Sequence, residues 1–139
     1  MPPEYGGAMS HHRETVTAVG APDAVGPYSH AVKAGGLLFI SGQIPLDPDT
    51  GDLVGDKPGD QARRCLENLS IIAAAGGASL GEDAVKLTVY LTDMAAFAEV
   101  NEVYGSFFEG DPPARVAYGV VALPKGAQVE IDAILAVPD

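Results

Sequence analysis

Basic residues are scarce in this sequence. Its 139 residues include eight Lys and Arg against 19 Asp and Glu, so the formal net charge is −11. Non-specific nucleic-acid binding needs clustered Lys and Arg that displace counterions, and docking on an anionic membrane also needs positive charge. The composition therefore disfavours both functions. An anionic small molecule could still bind, but only where a local positive charge overcomes the overall field.

Cysteine and long apolar runs are also nearly absent. The single cysteine, Cys65, excludes an internal disulfide and a metal site built on several cysteines. No apolar run approaches the roughly 20 residues of a membrane span. Residues 1–20 lack the apolar core of a secretory signal. We therefore expect a cytoplasmic protein that does not contact a membrane.

The sequence does contain enough apolar chain for one core. Hydrophobic residues make up 47% of the composition, and a chain of this length normally folds as one domain. We expect a flexible extension over residues 1–14 and one domain over residues 15–139. Met9 is an alternative start that the sequence leaves open. His11 and His12 are too few to hold a metal by themselves, so no metal site is predicted.

Hydrophobic periodicity predicts alternating strands and helices. Apolar residues at spacings of three and four predict a helix over residues 60–75, with Cys65 on its apolar stripe. The order β-hairpin, helix, strand, helix, β-hairpin predicts an α+β fold with both helices on one face of a mixed sheet. The other predicted elements are strands over 29–34, 37–42 and 84–92, a helix over 94–108, and two last strands over 115–122 and 128–137.

The second face of this sheet is expected to lack a cover, because two helices cannot shield both faces. It is predicted to carry Thr88, Tyr90 and Ile134, which are too apolar as a group to stay in water. We therefore expect this face to pack against copies of itself in a closed homo-oligomer.

Arg115 is the residue that most needs an explanation, because it follows two prolines at the start of an apolar strand. A buried guanidinium requires an anion, either from the protein or from a ligand. If residues 123–126 form the turn of a last hairpin, Arg115, Ala117 and Gly119 share one face with Glu130 and Asp132. Small residues beside an arginine and two acids would form a polar hollow. From the residues alone, a structural ion pair and a substrate clamp are equally supported.

Several motifs in order identify the chain with a known family. Together they resemble the reactive intermediate deaminase (RidA) family over residues 14–137, although each motif alone is weak. The motifs are Gly26-Pro27-Tyr28-Ser29, Ser41-Gly42-Gln43-Ile44-Pro45-Leu46, Pro113-Ala114-Arg115, Leu123-Pro124-Lys125-Gly126 and Val129-Glu130-Ile131, with further likeness over residues 61–68 and 101–104.

The resemblance implies a chorismate-mutase-like fold, a homotrimer with clefts between subunits, and cofactor-free hydrolysis of 2-imino acids. The implied substrates are 2-aminoacrylate with its imine, 2-iminopropanoate, and 2-iminobutanoate, which become 2-keto acids and ammonia. It also implies that Arg115 clamps the substrate carboxylate and that Glu130 positions the hydrolytic water. The other residues expected to contact substrate are Tyr28, Ser41, Gly42, Asn101 and Ala117.

Three alternatives stay open at this point. Endoribonuclease or translation-inhibitor activity is also attached to this family, and a non-catalytic trimer that binds keto acids would use the same clefts. A third alternative is a different imine substrate, because the sequence departs from relatives at several positions. His30 replaces a frequent glutamine, and Gly119 and Ala117 could enlarge the hollow.

Overall fold

The computed structural model describes residues 12–138, which form one six-stranded sheet with its helices. Residues 1–11 of the predicted extension lie outside the described part of the chain. The strands are β1 Glu14–Val16, β2 Ala31–Ala34, β3 Leu37–Gln43, β4 Ala84–Leu91, β5 Ala114–Gly119 and β6 Val129–Ala136. The helices are α1 Pro58–Ala75, α2 Leu80–Asp83 and α3 Phe97–Gly105, with 3₁₀ turns at Met94–Ala96 and Pro124–Gly126.

The order of the strands across the sheet corrects the predicted last hairpin. The order is β1-β2-β3-β6-β4-β5, so β6 lies between β3 and β4 and is antiparallel to both. β5 is an edge strand that pairs in parallel with β4. The predicted last hairpin, with its turn at residues 123–126, is therefore wrong. The physical reason is that residues 120–128 form a connection long enough to carry the chain past β4, whereas a tight turn would have joined neighbours.

One face of the sheet packs against α1 and α3 and forms the core. The inward residues of β4 and β6 alternate along each strand, and every one is at most 2% exposed. They meet the apolar stripe of α1, which is buried to the same degree. The central members of this core are Leu87, Val89, Leu91, Val129, Ile131, Ala133, Leu135, Leu66, Leu69 and Ile72.

The opposite face of the sheet, called the open face below, has the predicted composition. Thr88 and Tyr90 of β4 lie beside Asp132 and Glu130 of β6 in the strand register. Phe39 of β3 and Tyr118 of β5 are large side chains on the same face, and they are 42% and 53% exposed. An exposed aromatic face of this kind favours contact with another protein surface.

The N-terminus of α1 is fixed by a contact from α3. The helix begins at Pro58, whose missing N–H costs nothing at the first helical position. The Gly59 N–H donates to Glu99 Oε2 at 2.7 Å, so a carboxylate of α3 satisfies a donor that the helix itself cannot. This bond links the start of α1 to α3, the helix whose side chains contact Arg115.

Two further features of the described chain are the buried Cys65 and the aspartate-rich loop over residues 47–52. Cys65 is fully buried in the core, and this burial raises the pKa of its thiol well above the ordinary value. It is therefore a protonated packing residue and not a nucleophile. The Asp47 carboxylate accepts the backbone N–H groups of Asp49 at 2.8 Å and Thr50 at 3.2 Å, which is an Asx turn and not a calcium site.

Neither a membrane-spanning helix nor a cluster of metal ligands is found in the described residues. No helix within residues 12–138 combines the length and the apolar character that crossing a membrane requires. The same residues contain no group of three or more His, Cys, Asp and Glu that could hold a metal ion. The cytoplasmic location stays a prediction.

Candidate functional site

Arg115 is held in place by three side chains of α3. Its Nη1 donates to Asn101 Oδ1 at 2.6 Å. Its guanidinium carbon lies 4.9 Å from the centre of the Tyr104 ring and 5.4 Å from that of Phe97. Both distances allow cation–π attraction, which holds a planar guanidinium better than an ammonium. The cation is thus fixed in orientation while its side chain stays exposed to solvent.

The Arg115 guanidinium has no carboxylate partner within residues 12–138, where the ion pair present is Arg64 with Glu67. A structural bridge from Arg115 to Glu130 or Asp132, which the sequence left open, is therefore absent from this part of the chain. Instead, Arg115 opens into a hollow of about 420 Å³. We call this hollow the arginine half-site, and its lining residues are Asn101, Tyr104, Pro112, Pro113 and Arg115.

Glu130 lies in a second hollow of about 370 Å³, called the glutamate half-site. Gly42 on β3 makes the room for its carboxylate, because a Cβ built on Gly42 would overlap the Glu130 carboxyl group. Ser41 Oγ donates to the Ser29 carbonyl at 2.6 Å and so holds the wall of the hollow. Its lining residues include Tyr28, His30, Ser41, Gly42, Pro124 and Glu130.

The environment of Glu130 strengthens it as a base. Its side chain is half-buried. Burial, and then the negative charge of Asp132, raise the pKa of the Glu130 carboxyl group. A carboxylate with a raised pKa accepts a proton from water more readily than an ordinary surface glutamate.

The two half-sites lie on opposite faces of the sheet within one chain. Arg115 stands beside Leu87 in the parallel register, and Leu87 points into the core. Glu130 stands opposite Tyr90, which points to the open face. The prediction that Arg115, Ala117 and Gly119 share a face with Glu130 and Asp132 is therefore wrong.

Ala117 and Gly119 line neither half-site within one chain, and the predicted contact of Ala117 with substrate stays a prediction. Ala117 is half-buried against the core. A Cβ on Gly119 would lie 3.0 Å from Met94 Cγ, so the space that glycine leaves is taken by Met94. Neither residue enlarges a substrate cavity in the described chain.

Phe97 and Tyr104 contact Arg115, although the sequence analysis named neither of them as a site residue. They stand four positions before and three positions after Asn101, so all three lie on one side of α3. That spacing, with an asparagine between two aromatic residues on one side of a helix, is the signal that could have predicted a binding surface for the Arg115 guanidinium.

His30 fastens the loop that covers the glutamate half-site. Its ring is buried, Nδ1 accepts the Ala18 N–H at 2.9 Å, and Nε2 donates to the Pro22 carbonyl at 2.8 Å. Both nitrogens are thus used by one neutral tautomer. A glutamine amide offers the same pair, one acceptor and one donor, at the end of a chain of similar length.

We expect His30→Gln to keep the free energy of unfolding within about 1 kcal/mol, because both backbone partners can stay bonded. His30→Leu should lower it by about 2–4 kcal/mol, since a buried N–H and a buried C=O lose their partners. Urea denaturation followed by circular dichroism measures both, with His12→Gln as an exposed control. Equal stability of the glutamine and leucine variants would contradict this role.

Gly42→Ala tests the close approach of Glu130. The fold should survive, because the overlapping group is the end of a flexible side chain, but the carboxylate must turn away. We expect kcat/KM for the reaction proposed below to fall by about 100-fold, the effect of a misplacement near 1 Å. Gly105→Ala is the matched control, because a Cβ there meets no atom within 4 Å. Unchanged activity in Gly42→Ala would show that the Glu130 position does not matter.

Comparison with known proteins identifies the family. A family model described as Endoribonuclease L-PSP matches residues 19–137. RutC family protein y4sK of Sinorhizobium fredii is 52% identical over 122 residues, covering 88% of this chain and 96% of that protein. The mouse protein named 2-iminobutanoate/2-iminopropanoate deaminase is 46% identical over 122 residues, covering 88% of this chain and 90% of that protein. The chain belongs to the reactive intermediate deaminase family.

Solved structures of this family share the fold of the chain. The crystal structure of E. coli TdcF with bound serine has a TM-score of 0.84 and is 41% identical, covering 90% of this chain and 99% of TdcF. The α+β, chorismate-mutase-like fold predicted from the sequence is confirmed. Within this reactive intermediate deaminase fold, the predicted contact residues divide between the half-sites: Arg115 and Asn101 line one, and Tyr28, Ser41, Gly42 and Glu130 line the other.

Proposed function

We propose that this protein hydrolyses 2-imino acids to 2-keto acids and ammonia without a cofactor. The observation that carries the proposal is the Arg115 guanidinium, which is oriented by three side chains of α3 yet has no carboxylate partner in residues 12–138. A substrate carboxylate can pair with this guanidinium, because it has the opposite charge and its two oxygens match the planar N–H groups. The name of the mouse relative, 2-iminobutanoate/2-iminopropanoate deaminase, supports the same substrate class.

The proposed reaction needs little beyond orientation. Arg115 binds the carboxylate and thereby fixes the neighbouring C=N carbon. A water molecule attacks that carbon while Glu130 accepts one of its protons, and Glu130 passes this proton to the nitrogen to form a carbinolamine. Glu130 then takes the proton of the carbinolamine hydroxyl and delivers it to the amino nitrogen, the C–N bond breaks, and ammonia leaves as the C=O bond forms. Water supplies the oxygen, and no electron donor or acceptor is required.

The assembly we propose is a homotrimer with its clefts between subunits. Within one chain, Arg115 and Glu130 lie on opposite faces of the sheet and cannot both contact a molecule as small as 2-iminopropanoate. A neighbouring copy that packs against the open face could bring its arginine half-site to the glutamate half-site. Phe39, Tyr118 and Ile134 on that face supply apolar area for such contact.

A coupled assay tests the proposed activity. A threonine or serine dehydratase releases the imine, and its disappearance is followed in the presence and absence of this protein. We expect faster loss of the imine and faster formation of the keto acid. If the protein binds 2-ketobutyrate tightly but leaves the imine lifetime unchanged, the non-catalytic alternative replaces the deaminase.

RNA cleavage is the activity in the description of the family model, but this chain is poorly suited to it. Its net charge is −11, and it has eight Lys and Arg in all. Phosphate backbones are bound through clusters of such residues. RNA cleavage that survives purification and disappears in Arg115→Ala would reverse this assignment.

A further inference from the structure

A second acid lies beside Glu130 on the open face. Glu130 and Asp132 are two positions apart on β6, so both side chains leave the same side of the sheet. Tyr90 of β4 stands directly opposite Glu130, and Thr88 stands opposite Asp132. Two carboxylates and a phenol are therefore grouped at the position where the proposed reaction needs one base.

The Tyr90 hydroxyl forms a hydrogen bond with Asp132, although Tyr90 stands opposite Glu130. It donates to Asp132 Oδ2 at 3.1 Å, and Asp132 lies two residues along β6 from Glu130, the residue that Tyr90 faces. The Tyr90 ring is itself supported by Tyr118 of β5, with ring centres 6.3 Å apart and planes 29° apart. Packing on one side and the hydrogen bond at the end leave the ring little freedom.

We infer that Tyr90 and Asp132 are positioning residues of the proposed reaction: Tyr90 fixes the Asp132 carboxylate beside Glu130, and this second negative charge makes Glu130 a stronger proton acceptor. This rests on the deaminase function proposed above, in which Glu130 takes a proton from water. Neither Tyr90 nor Asp132 touches the substrate in this scheme; both act through Glu130.

The charges around Glu130 are consistent with this role. Asp132 is the charged neighbour that raises the pKa of Glu130, after burial. Burial and Asp132 also raise the pKa of Tyr90, so its hydroxyl keeps the proton that it donates. The other ionisable groups nearby are Tyr118 of β5, which stacks on Tyr90, Lys86 of β4, which lines a shallow hollow with Asp132, and Asp23, Tyr28 and His30, which line the glutamate half-site.

A substitution of Asp132 can separate the effect of its negative charge from that of its shape. Asp132→Asn keeps an oxygen that can accept the Tyr90 hydroxyl but removes the negative charge. The pKa of Glu130 should then fall, because one of the two causes that raise it is gone. Tyr90→Phe keeps the stacked ring but frees the Asp132 carboxylate, so its effect should have the same direction and be smaller.

The direct test is a carbon-13 NMR titration of the Glu130 carboxyl group, assigned by its absence in Glu130→Gln. We expect the titration midpoint to move to lower pH in Asp132→Asn and, by less, in Tyr90→Phe. The double variant should move no further than Asp132→Asn, because Tyr90 acts through Asp132. Glu82→Gln removes an exposed acid outside both half-sites and should leave the midpoint unchanged.

The pH profile of kcat/KM supplies the kinetic counterpart. Glu130 must be ionised to accept a proton, so a lower pKa moves the acid limb to lower pH. The plateau should fall by no more than about tenfold, because a weaker base remains in place. A shifted NMR midpoint in a protein without deaminase activity would overturn the proposed function but keep the tuning of Glu130. An unmoved midpoint in Asp132→Asn, or additive shifts in the double variant, would overturn the inference itself.

Discussion

Replacing Arg115 by alanine is expected to lower kcat/KM for imine hydrolysis by at least about 100-fold, because the substrate carboxylate loses the group that orients it. The fold should be retained. Arg115 is an exposed residue of an edge strand, and its described contacts are with three side chains of α3. The measurement is the coupled dehydratase assay, accompanied by a thermal melt to confirm the native structure.

Arg115→Lys separates the charge from the geometry. We expect a loss of the same order as in the alanine variant, because an ammonium cannot form two parallel hydrogen bonds to a carboxylate. An ammonium also stacks less well than a guanidinium on the rings of Phe97 and Tyr104, whose centres lie 5.4 and 4.9 Å from the guanidinium carbon. Arg63→Ala removes an exposed cation of α1 and is the matched control. Wild-type activity in either Arg115 variant would exclude the proposed clamp.

The fold could be predicted from the sequence to a large extent, because its signals are local. The apolar stripe of α1 and the alternation of β4 each specify one element and the side that it buries. The predicted helix over residues 94–108 was less accurate. Its first residues form a 3₁₀ turn, capped by the Asp93 carboxylate at 2.9 Å from the Ala95 N–H, and α3 itself is Phe97–Gly105. Such end effects depend on single hydrogen bonds that periodicity does not encode.

The site was harder to predict, because it depends on which strands are neighbours. Arg115 and Glu130 were each singled out from the sequence, but their common face followed from a hairpin that does not exist. Since β5 pairs with β4, the direction of Arg115 is set by Leu87 and not by Glu130. A slip of one residue in the register reverses the face of every side chain on a strand. No pattern within β5 or β6 contains that information.

The separation of the two half-sites leads to the second prediction, which concerns mixed oligomers. Arg115→Ala subunits keep an intact glutamate half-site, and Glu130→Gln subunits keep an intact arginine half-site. If each cleft takes one half-site from each of two neighbours, a ring that contains both variants has one intact cleft. We therefore expect mixed trimers to recover about a third of the wild-type activity, although each variant alone is inactive.

The experiment requires two different affinity tags and tandem purification of the co-expressed variants, followed by the coupled assay. Trimers of Arg115→Ala carrying both tags set the background. Wild-type subunits mixed with the double variant Arg115→Ala/Glu130→Gln are the matched control. When the half-sites come from different subunits, a mixed trimer with one wild-type subunit has no intact cleft.

The recovered fraction also reports how many subunits share the clefts. A closed dimer with the same exchange would recover about half of the activity, and a site contained within one chain would recover none. If the mixed oligomers are no more active than this background, a cleft shared between two subunits would be refuted. That result would require one chain to bring Arg115 and Glu130 together, although β4 separates their strands and they point to opposite faces of the sheet.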